Sequence, residues 1–249
     1  MSWLVFVLAG IGVGIAYGLF GAGGSAFATP VLALLGVPPA IAVASPLPAM
    51  LPASVAGARE YLRAGMLDRR AAKLAVFAGV PAVVIGSAAS RVVGGTGLLV
   101  LSGIVLFGVG VRMFVPSRAG SAERCATRRD DTTFVVALVA GAAFLAGLLA
   151  NGGGFLLVPI FVVVLGFTAA RAAGTALVAA MALVVPTLLA HWLLGDIDWA
   201  IAGAFALGLV PASMLGARFG RQLPDRVARP TFGIVLMLFA VFFFVRQFG

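Results

Sequence analysis

The sequence predicts an all-α polytopic membrane protein made of two inverted-topology repeats. Each repeat has about five helical elements, of which the second is short or broken. Three observations support this prediction: an apolar composition with few charges, a glycine-rich phrase that occurs once in each half, and a charge pattern that reverses between matching loops. Together they indicate a single transmembrane domain over residues 1–249.

The composition is that of an integral membrane protein. Hydrophobic residues make up 62% of the 249 residues and charged residues only 10%, and the mean hydropathy is +1.17. Soluble domains carry roughly 25% charged residues, so this chain has too few charges to cover a water-exposed surface. Since a transmembrane helix takes about 20 residues, there is room for roughly ten spans. No length remains for a soluble catalytic domain, and we expect the protein not to be an enzyme.

The net charge of +9 comes from 17 Lys and Arg residues against 8 Asp and Glu residues. The arginines lie between apolar runs, which indicates loops that face the cytoplasm and anionic lipid. No basic patch is interleaved with exposed aromatic residues, so nucleic acid is not an expected partner. Cys125 is the only cysteine, which excludes an intrachain disulfide and a cysteine-based metal site. We expect neither a cofactor nor a metal.

The apolar runs divide the domain into repeat one (about 3–114), a polar linker (about 115–132) and repeat two (about 133–248). The first run lacks a basic n-region and has a counterpart at Phe134–Leu149, so it is expected to be a retained helix rather than a signal peptide. The second run of each half is the shortest, and the sequence leaves open whether it crosses the membrane or is re-entrant. The runs are about 3–20, 25–37, 40–62, 71–90 and 97–114, then about 133–150, 155–168, 171–194, 198–217 and 230–246.

The two halves align with each other at glycines, prolines and aspartates, which indicates an internal duplication. The phrase Gly18–Pro30 is repeated at Gly147–Pro159. After a slip of a single position the alignment continues at a constant offset, and the pairs include Gly65 with Gly195, Asp68 with Asp198, Pro81 with Pro211, and Gly86 with Gly216.

Charge predicts that the two repeats are inverted relative to each other. The loop after the third run of the first half is basic, whereas its counterpart carries Asp196 and Asp198 and no Lys or Arg. One loop further on the bias reverses, since Arg91 stands alone in the first half but four arginines follow the fourth run of the second. The positive-inside rule then places matching loops on opposite sides. If the short second elements also cross, both termini lie outside and the linker inside, whereas re-entrant elements in both halves would leave one arginine cluster outside. The basic residues of the first loop are Arg59, Arg63, Arg69, Arg70 and Lys73.

The glycine runs predict an anion-binding site. A helix break within the membrane must be buried in protein or line a wet cavity, because unpaired backbone groups are costly in hydrocarbon. A half-helix that begins at such a break points free N–H groups and the positive end of its dipole into the cavity, and bare glycines allow a ligand to approach closely. In inverted repeats two such breaks converge near the midplane, where they favour a small oxyanion. The predicted substrate-binding residues of the runs are Gly23, Gly24 and Ser25, then Asn151, Gly152, Gly153 and Gly154.

Three polar features outside the glycine runs have a functional and a structural interpretation. Ser45 and Thr175 occupy matching positions in the third runs, so they either contact substrate or only bond backbone within their helices. His191, the only histidine, is either a proton relay or an interfacial residue beside Trp192. The residues Arg59, Glu60 and Arg63 are interpreted as an interfacial ion cluster, with a translocation gate as the alternative.

At these positions the sequence resembles the TauE/SafE family, the sulfite and organosulfur-anion exporters of bacterial membranes. The family phrase G-x-x-G-x-G-G-G…P matches Gly18, Gly21, Gly23, Gly24 and Pro30, and in the second half Gly147, Gly152–Gly154 and Pro159. A small-residue segment follows at Ala44-Ser45 and Gly174-Thr175, then loops at Arg63–Asp68 and Gly195–Trp199. Ser25, Ala150 and Ser45-Pro46 depart from the family pattern. The resemblance implies transport of sulfite, thiosulfate, sulfoacetate or a related small anion across the bacterial inner membrane by a multi-pass protein.

The predicted function is therefore a membrane transporter, an exporter or permease of small oxyanions, with membrane lipids as the other partner. An anion leaving a negative-inside cell gains about 2.3 kcal/mol per charge per 100 mV, so export needs no coupling ion. Two alternatives stay open: a transporter of another small solute or metal ion, and an accessory membrane subunit that does not itself transport. A homo-oligomer is compatible with the sequence, which does not fix the oligomeric state.

Overall fold

The computed structural model describes residues 3–114, 132–149 and 156–248, and in these ranges the chain is helical with no strand. The all-α prediction is thereby confirmed. The first half contains α1 (Trp3–Leu19), a 3₁₀ segment (Gly21–Phe27), α2 (Ala28–Leu34), α3 (Pro39–Ala44), α4 (Leu47–Arg63) and α5 (Arg69–Phe114). The second contains α6 (Thr132–Leu148), α7 (Leu157–Val163), α8 (Ala169–Leu194), α9 (Trp199–Gly220) and α10 (Asp225–Phe248).

The second element of each half is short, as the sequence predicts. Both α2 and α7 have seven residues, which corresponds to about 10 Å of α-helix, against a hydrocarbon core of about 30 Å. In the first half the 3₁₀ segment separates α1 from α2, and it begins at Gly21 with a φ of 69°. A residue with a side chain is strained at that φ, so the glycine allows the chain to leave α1 there.

Two predicted boundaries differ from the observed helices. The runs at about 71–90 and 97–114 form one continuous helix, α5, of 46 residues. Glycines near its middle weaken a helix by about 1 kcal/mol each, but they keep the backbone N–H and so do not end it. Conversely, the run at about 40–62 is divided at Ser45 and Pro46 into α3 and α4. Proline lacks the N–H that would continue a helix through this point.

Four stretches of the described helices are long and apolar enough to cross a membrane. They are Pro39–Arg63 (α3 together with α4), Arg69–Ser90 (the first part of α5), Ala169–Leu194 (α8) and Trp199–Gly220 (α9). Two shorter apolar helices, Trp3–Leu19 and Thr132–Leu148, accompany them. Large apolar side chains lie exposed on the outside of the bundle, among them Phe77 at 79% and Leu193 at 86%. In water such a surface would aggregate, whereas in a bilayer it contacts lipid.

Each half packs its first helix against a helix of the other half. A Cβ on Gly18 of α1 would overlap the carbonyl oxygen of Ser213 in α9, and a Cβ on Gly147 of α6 would overlap that of Val83 in α5. These contacts are equivalent under the alignment of the two repeats. The same holds in the reverse direction, because Gly216 meets the carbonyl of Ile15 and Gly86 meets the carbonyl of Phe144. Small residues let membrane helices approach to backbone contact, and here they do so twice, reciprocally.

Candidate functional site

The first glycine run occupies the 3₁₀ segment at the end of α1. Gly23, Gly24 and Ser25 lie within it, and Gly21 packs so closely on α8 that a Cβ would lie 2.5 Å from Ala173 Cα. The helix that follows, α2, begins only at Ala28. The break predicted in the first half is therefore present and rests against the N-terminal part of α8.

The second glycine run, Asn151, Gly152, Gly153 and Gly154, lies outside the described residues. The described chain ends at Leu149 after α6 and resumes at Leu156, one residue before α7. The convergence of the two runs on one anion stays a prediction.

Ser45 and Thr175 are fully buried, and both bind the start of a helix in the opposite half. Ser45 Oγ accepts a hydrogen bond from the backbone N–H of Asp198 at 3.0 Å, and Thr175 Oγ1 accepts one from that of Asp68 at 3.0 Å. These residues precede α9 and α5, which are equivalent in the two repeats. A buried N–H without a partner costs about 1–3 kcal/mol, so each hydroxyl stabilises the N-terminus of a membrane-spanning helix.

The two hydroxyls are not brought together. Ser45 lies just before α4, whereas Thr175 follows Gly174, whose added Cβ would lie 2.7 Å from Tyr61 Cβ near the other end of α4. The sixteen residues from Ser45 to Tyr61 correspond to about 24 Å of helix at 1.5 Å per residue. A small oxyanion a few ångströms across does not reach both. Their contact with substrate stays a prediction. If both do contact it, they do so at different points along the route of the substrate through the bundle.

Around Thr175 the structure adds an ion pair that the sequence did not indicate. Arg171 Nη2 lies 2.7 Å from Asp68 Oδ2, while Asp68 Oδ1 accepts from the N–H of Ala71 in the first turn of α5. The guanidinium also lies 4.9 Å from the centre of the Phe167 ring. The repeat-equivalent of Arg171 is Ile41, so the matching junction around Ser45 cannot form this pair.

A second cluster surrounds Glu60, whose side chain is 5% exposed. Its carboxylate lies 3.3 Å from Arg218 Nε, 3.7 Å from Arg63 Nη1 and 4.0 Å from Arg221 Nη2. Two of these arginines come from the end of α9, in the other half of the chain. The sequence predicted an ion cluster at Glu60 but not its link to α9, since no local pattern reports a contact at that separation. The positive-inside rule assigns the arginine-rich loops after α4 and after α9 to the same side of the membrane, and this is the sequence signal that could have suggested the contact.

Tyr61 and His191 occupy equivalent positions and have different partners. Tyr61 is fully buried, and its hydroxyl donates to the carbonyl oxygens of Gly18 at 3.0 Å and Leu19 at 3.1 Å, where α1 ends. His191 Nδ1 lies 3.3 Å from Asp196 Oδ2. Its Nε2 is buried with no partner in the part of the chain that is described. The side chain is only 4% exposed, so His191 packs against protein in the last turn of α8.

No group of three or more His, Cys, Asp or Glu side chains that could hold a metal ion occurs in the described ranges. Phe20, Val158 and Arg229 are among the residues lining a cavity of about 10 Å³ beside α1, α7 and α10. This is room for roughly one water molecule. It adjoins the end of the first glycine break, through Leu19 and Phe20.

The protein has apolar helices long enough to span a membrane, an exposed apolar surface suited to lipid, and helices that are interrupted inside the bundle. These features are those of a multi-pass α-helical protein of the transporter class. The profile of the family described as "Sulfite exporter TauE/SafE" matches residues 6–243. The chain belongs to this family and is a multi-pass bacterial membrane protein.

Relatives support the same class along the whole chain. A "Probable membrane transporter protein" of Xylella fastidiosa (strain 9a5c) is 31% identical over 259 residues, covering 100% of this chain and 97% of the relative. The "Probable membrane transporter protein YunE" of Bacillus subtilis (strain 168) is 21% identical, covering 96% and 94%. No solved structure matches this chain.

Proposed function

We propose that this protein is an exporter or permease of small oxyanions, with sulfite or a related organosulfur anion as substrate. The observation that carries the proposal is the family match over residues 6–243, whose description names sulfite export. The 3₁₀ segment at Gly21–Phe27 supports it, because it interrupts the helix inside the bundle, and the binding sites of many transporters lie at such interruptions.

In this proposal individual amides hold the anion, rather than the dipole of a long half-helix. The helices after the breaks have only seven residues each, and about two turns of helix supply little beyond the charges of the terminal N–H groups. Gly23, Gly24 and Ser25 supply one set of donors, and Asn151 with Gly152–Gly154 supplies the other. Charge-assisted bonds of this kind contribute about 1.5–3 kcal/mol each.

The two hydroxyls take different roles. Thr175 Oγ1 already donates its only hydrogen to the carbonyl oxygen of Arg171 at 2.7 Å, so it has none to offer an anion. Ser45 Oγ accepts from Asp198, and its hydrogen has no acceptor among the described residues. We therefore assign a direct donor role to Ser45, and we assign to Thr175 the positioning of Asp68.

Transport is proposed to follow the membrane potential. Because export of each negative charge gains about 2.3 kcal/mol per 100 mV, the energy is sufficient without a coupling ion. Flux in proteoliposomes should then change sign when an imposed potential is reversed. A flux that ignores the potential contradicts this part of the proposal.

The test is the flux of radiolabelled sulfite, thiosulfate and sulfoacetate in proteoliposomes that contain the purified protein. Asn151→Ala should lower the flux of the transported anion at least about 10-fold, the loss expected for one charge-assisted hydrogen bond. Gly153→Val should lower it at least as much, because the added side chain blocks the close approach of the anion to the backbone. Gly203→Val is the matched control, because a Cβ there meets nothing within 4 Å. Equal flux in all four proteins contradicts the assigned site, and no flux of any anion in the wild type favours the accessory-subunit alternative.

A further inference from the structure

The cluster around Glu60 contains more positive charge than its one carboxylate can neutralise. Arg63, Arg218 and Arg221 all lie within 4.0 Å of it, which leaves two positive charges in excess. Arg221 is the least satisfied, because its shortest approach to Glu60 is at the 4.0 Å limit and its Nε is buried without a partner in the described chain. Buried polar atoms are rarely left unpaired, so this Nε requires an explanation.

The cluster lies beside the first glycine break. Glu60 directly precedes Tyr61, whose hydroxyl holds the carbonyl groups of Gly18 and Leu19. Gly220 directly precedes Arg221, and a Cβ on Gly220 would overlap both the Tyr61 hydroxyl and the carbonyl oxygen of Leu19. An anion held by Arg221 is thus next to the residues that lead into the break.

The equivalent position in the other repeat has no such cluster. Ala190 corresponds to Glu60 and Ala88 corresponds to Arg218, whereas Arg221 corresponds to Arg91. The repeated scaffold therefore does not need Glu60 or Arg218 in order to pack α4 or α8 against its partner. Glu60 is buried whereas its arginine partners are 32–69% exposed, so solvent screens the pairs only in part and they contribute to stability. That structural role leaves the two excess positive charges unexplained.

We infer that Arg218 and Arg221 form an anion-binding site at the arginine-rich end of the bundle, which charge predicts to face the cytoplasm. Glu60 occupies the guanidinium groups when no ligand is bound, and an incoming oxyanion takes its place. Arginine suits this role because its planar fork of donors matches two oxygens of an oxyanion. The inference rests on the proposed function in one respect, that a soluble oxyanion is the ligand. A phospholipid headgroup phosphate has the same chemistry.

The test is equilibrium binding of radiolabelled sulfite and sulfate to the full chain, purified in a neutral detergent, at constant ionic strength with chloride as the background anion. Arg221→Gln should weaken binding about 10-fold or more, the effect of losing a charge-assisted bond. Glu60→Gln should strengthen binding several-fold, because the internal competitor is removed. Arg226→Gln is the control, since Arg226 is an exposed arginine in the first turn of α10, five positions after Arg221, that makes no ion pair within the described residues.

A binding site is distinguished from a structural ion cluster if Glu60→Gln raises the affinity for the anion and Arg221→Gln lowers it. A structural cluster predicts that both substitutions lower the thermal unfolding temperature and that neither changes binding differently from Arg226→Gln, and that result would overturn the inference. If Glu60→Gln does not fold, Arg218→Gln replaces it. It should weaken binding as Arg221→Gln does, and unchanged binding in Arg218→Gln would overturn the inference as well.

Two further arms identify the source of the anion and separate the two proposals. In nanodiscs, competition of added phosphatidylglycerol with bound sulfite identifies a headgroup as the ligand, and its absence identifies a soluble anion. Flux in proteoliposomes is measured alongside binding. If the two variants change binding in opposite directions but the wild type shows no flux, the proposed function is refuted and the anion-binding site remains. If the wild type shows flux but neither variant changes binding, the anion-binding site is refuted and the proposed function remains.

Discussion

The junction around Thr175 and the junction around Ser45 have the same hydrogen bond and different charges. In each, a buried hydroxyl accepts a hydrogen bond at 3.0 Å from the backbone N–H of an aspartate in the opposite half, which directly precedes α5 or α9. Each aspartate also caps its helix, Asp68 through Ala71 N–H and Asp198 through Ala200 N–H, both at 2.9 Å. Only Asp68 has an arginine partner, because Arg171 is replaced by Ile41 at the equivalent position.

The hydrogen bond is therefore a feature of both repeats, whereas the ion pair is specific to the junction around Thr175. The hydroxyl-to-helix bond is retained in both halves because a buried helix start must have its N–H groups satisfied. Arg171 of repeat two and Glu60 of repeat one each lack a charged counterpart in the other repeat, where Ile41 and Ala190 stand. The two ends of the bundle are therefore alike in backbone packing and unlike in electrostatics.

The comparison is lost entirely if the two junctions lie on the same side of the membrane. We expect Arg69→Cys and Asp196→Cys, each in a Cys125→Ser background, to react with a membrane-impermeant thiol reagent from opposite sides, in an all-or-none manner. The reason is that the arginine-rich loops are retained inside and the loop with Asp196 and Asp198 is not.

Arg226→Cys is the internal control for this labelling. Arg226 lies in the first turn of α10, close in sequence to Arg218 and Arg221, which contact Glu60 near the end of α4. Arg226→Cys should therefore label from the same side as Arg69→Cys. Labelling of Asp196→Cys and Arg69→Cys from one side would rule out inverted repeats.

The reciprocal glycine contacts should be equally sensitive in the two halves. Gly18→Ala and Gly147→Ala each place a methyl group against a carbonyl oxygen of the opposite half, so each should destabilise the protein by about 1–3 kcal/mol. The measurement is equilibrium unfolding of the purified protein in mixed micelles.

Gly12→Ala and Gly141→Ala are matched controls on the same two helices, since a Cβ at either position meets nothing within 4 Å. They should leave stability unchanged or raise it slightly, because alanine favours a helix over glycine. A large loss in only one half would show that the two interfaces are not equivalent.

The ion pair should have a smaller effect, confined to one junction. Arg171→Ile copies Ile41 and leaves Asp68, which is 7% exposed, without its guanidinium. Since Arg171 itself is 43% exposed, solvent screens the pair, and we expect a loss of about 1–2 kcal/mol, between the values for exposed and buried pairs.

A double variant checks that charge is the cause. Adding Asp68→Asn to Arg171→Ile should recover part of the loss, whereas Asp198→Asn in the other junction should not respond to Arg171→Ile. Additive losses for Asp68→Asn and Arg171→Ile would mean that the two side chains are not coupled.

Much of the fold was predictable because its signals are local. Apolar runs gave the helices, and the short second runs correspond to α2 and α7. The alignment of the two halves predicted which glycines are equivalent, and these are the glycines in reciprocal contact. The continuous α5 was missed because glycines resemble breaks in a sequence although a helix tolerates them.

The candidate site was less predictable, for a geometric reason. Equivalence under the repeat shows that Ser45 and Thr175 occupy matching positions, but it does not show whether they lie near each other. Two residues exchanged by an internal symmetry lie close together only if they are near its axis, and these lie near opposite ends of α4. The pairing of Arg171 with Asp68, across 103 positions, has no local signal at all.

The packing of α1 on α9 has a consequence for the order in which the chain is made. Helix α1 leaves the ribosome first, yet the glycine face it presents is covered only by a helix that begins at Trp199. Until then its backbone-contact surface must be occupied by lipid or by the insertion machinery. Biogenesis of this protein therefore includes a late closure. Helix α1 can contact α4 early, through the hydrogen bond between Tyr17 and Ser54, but its glycine face acquires a permanent neighbour only after α9 has been synthesised.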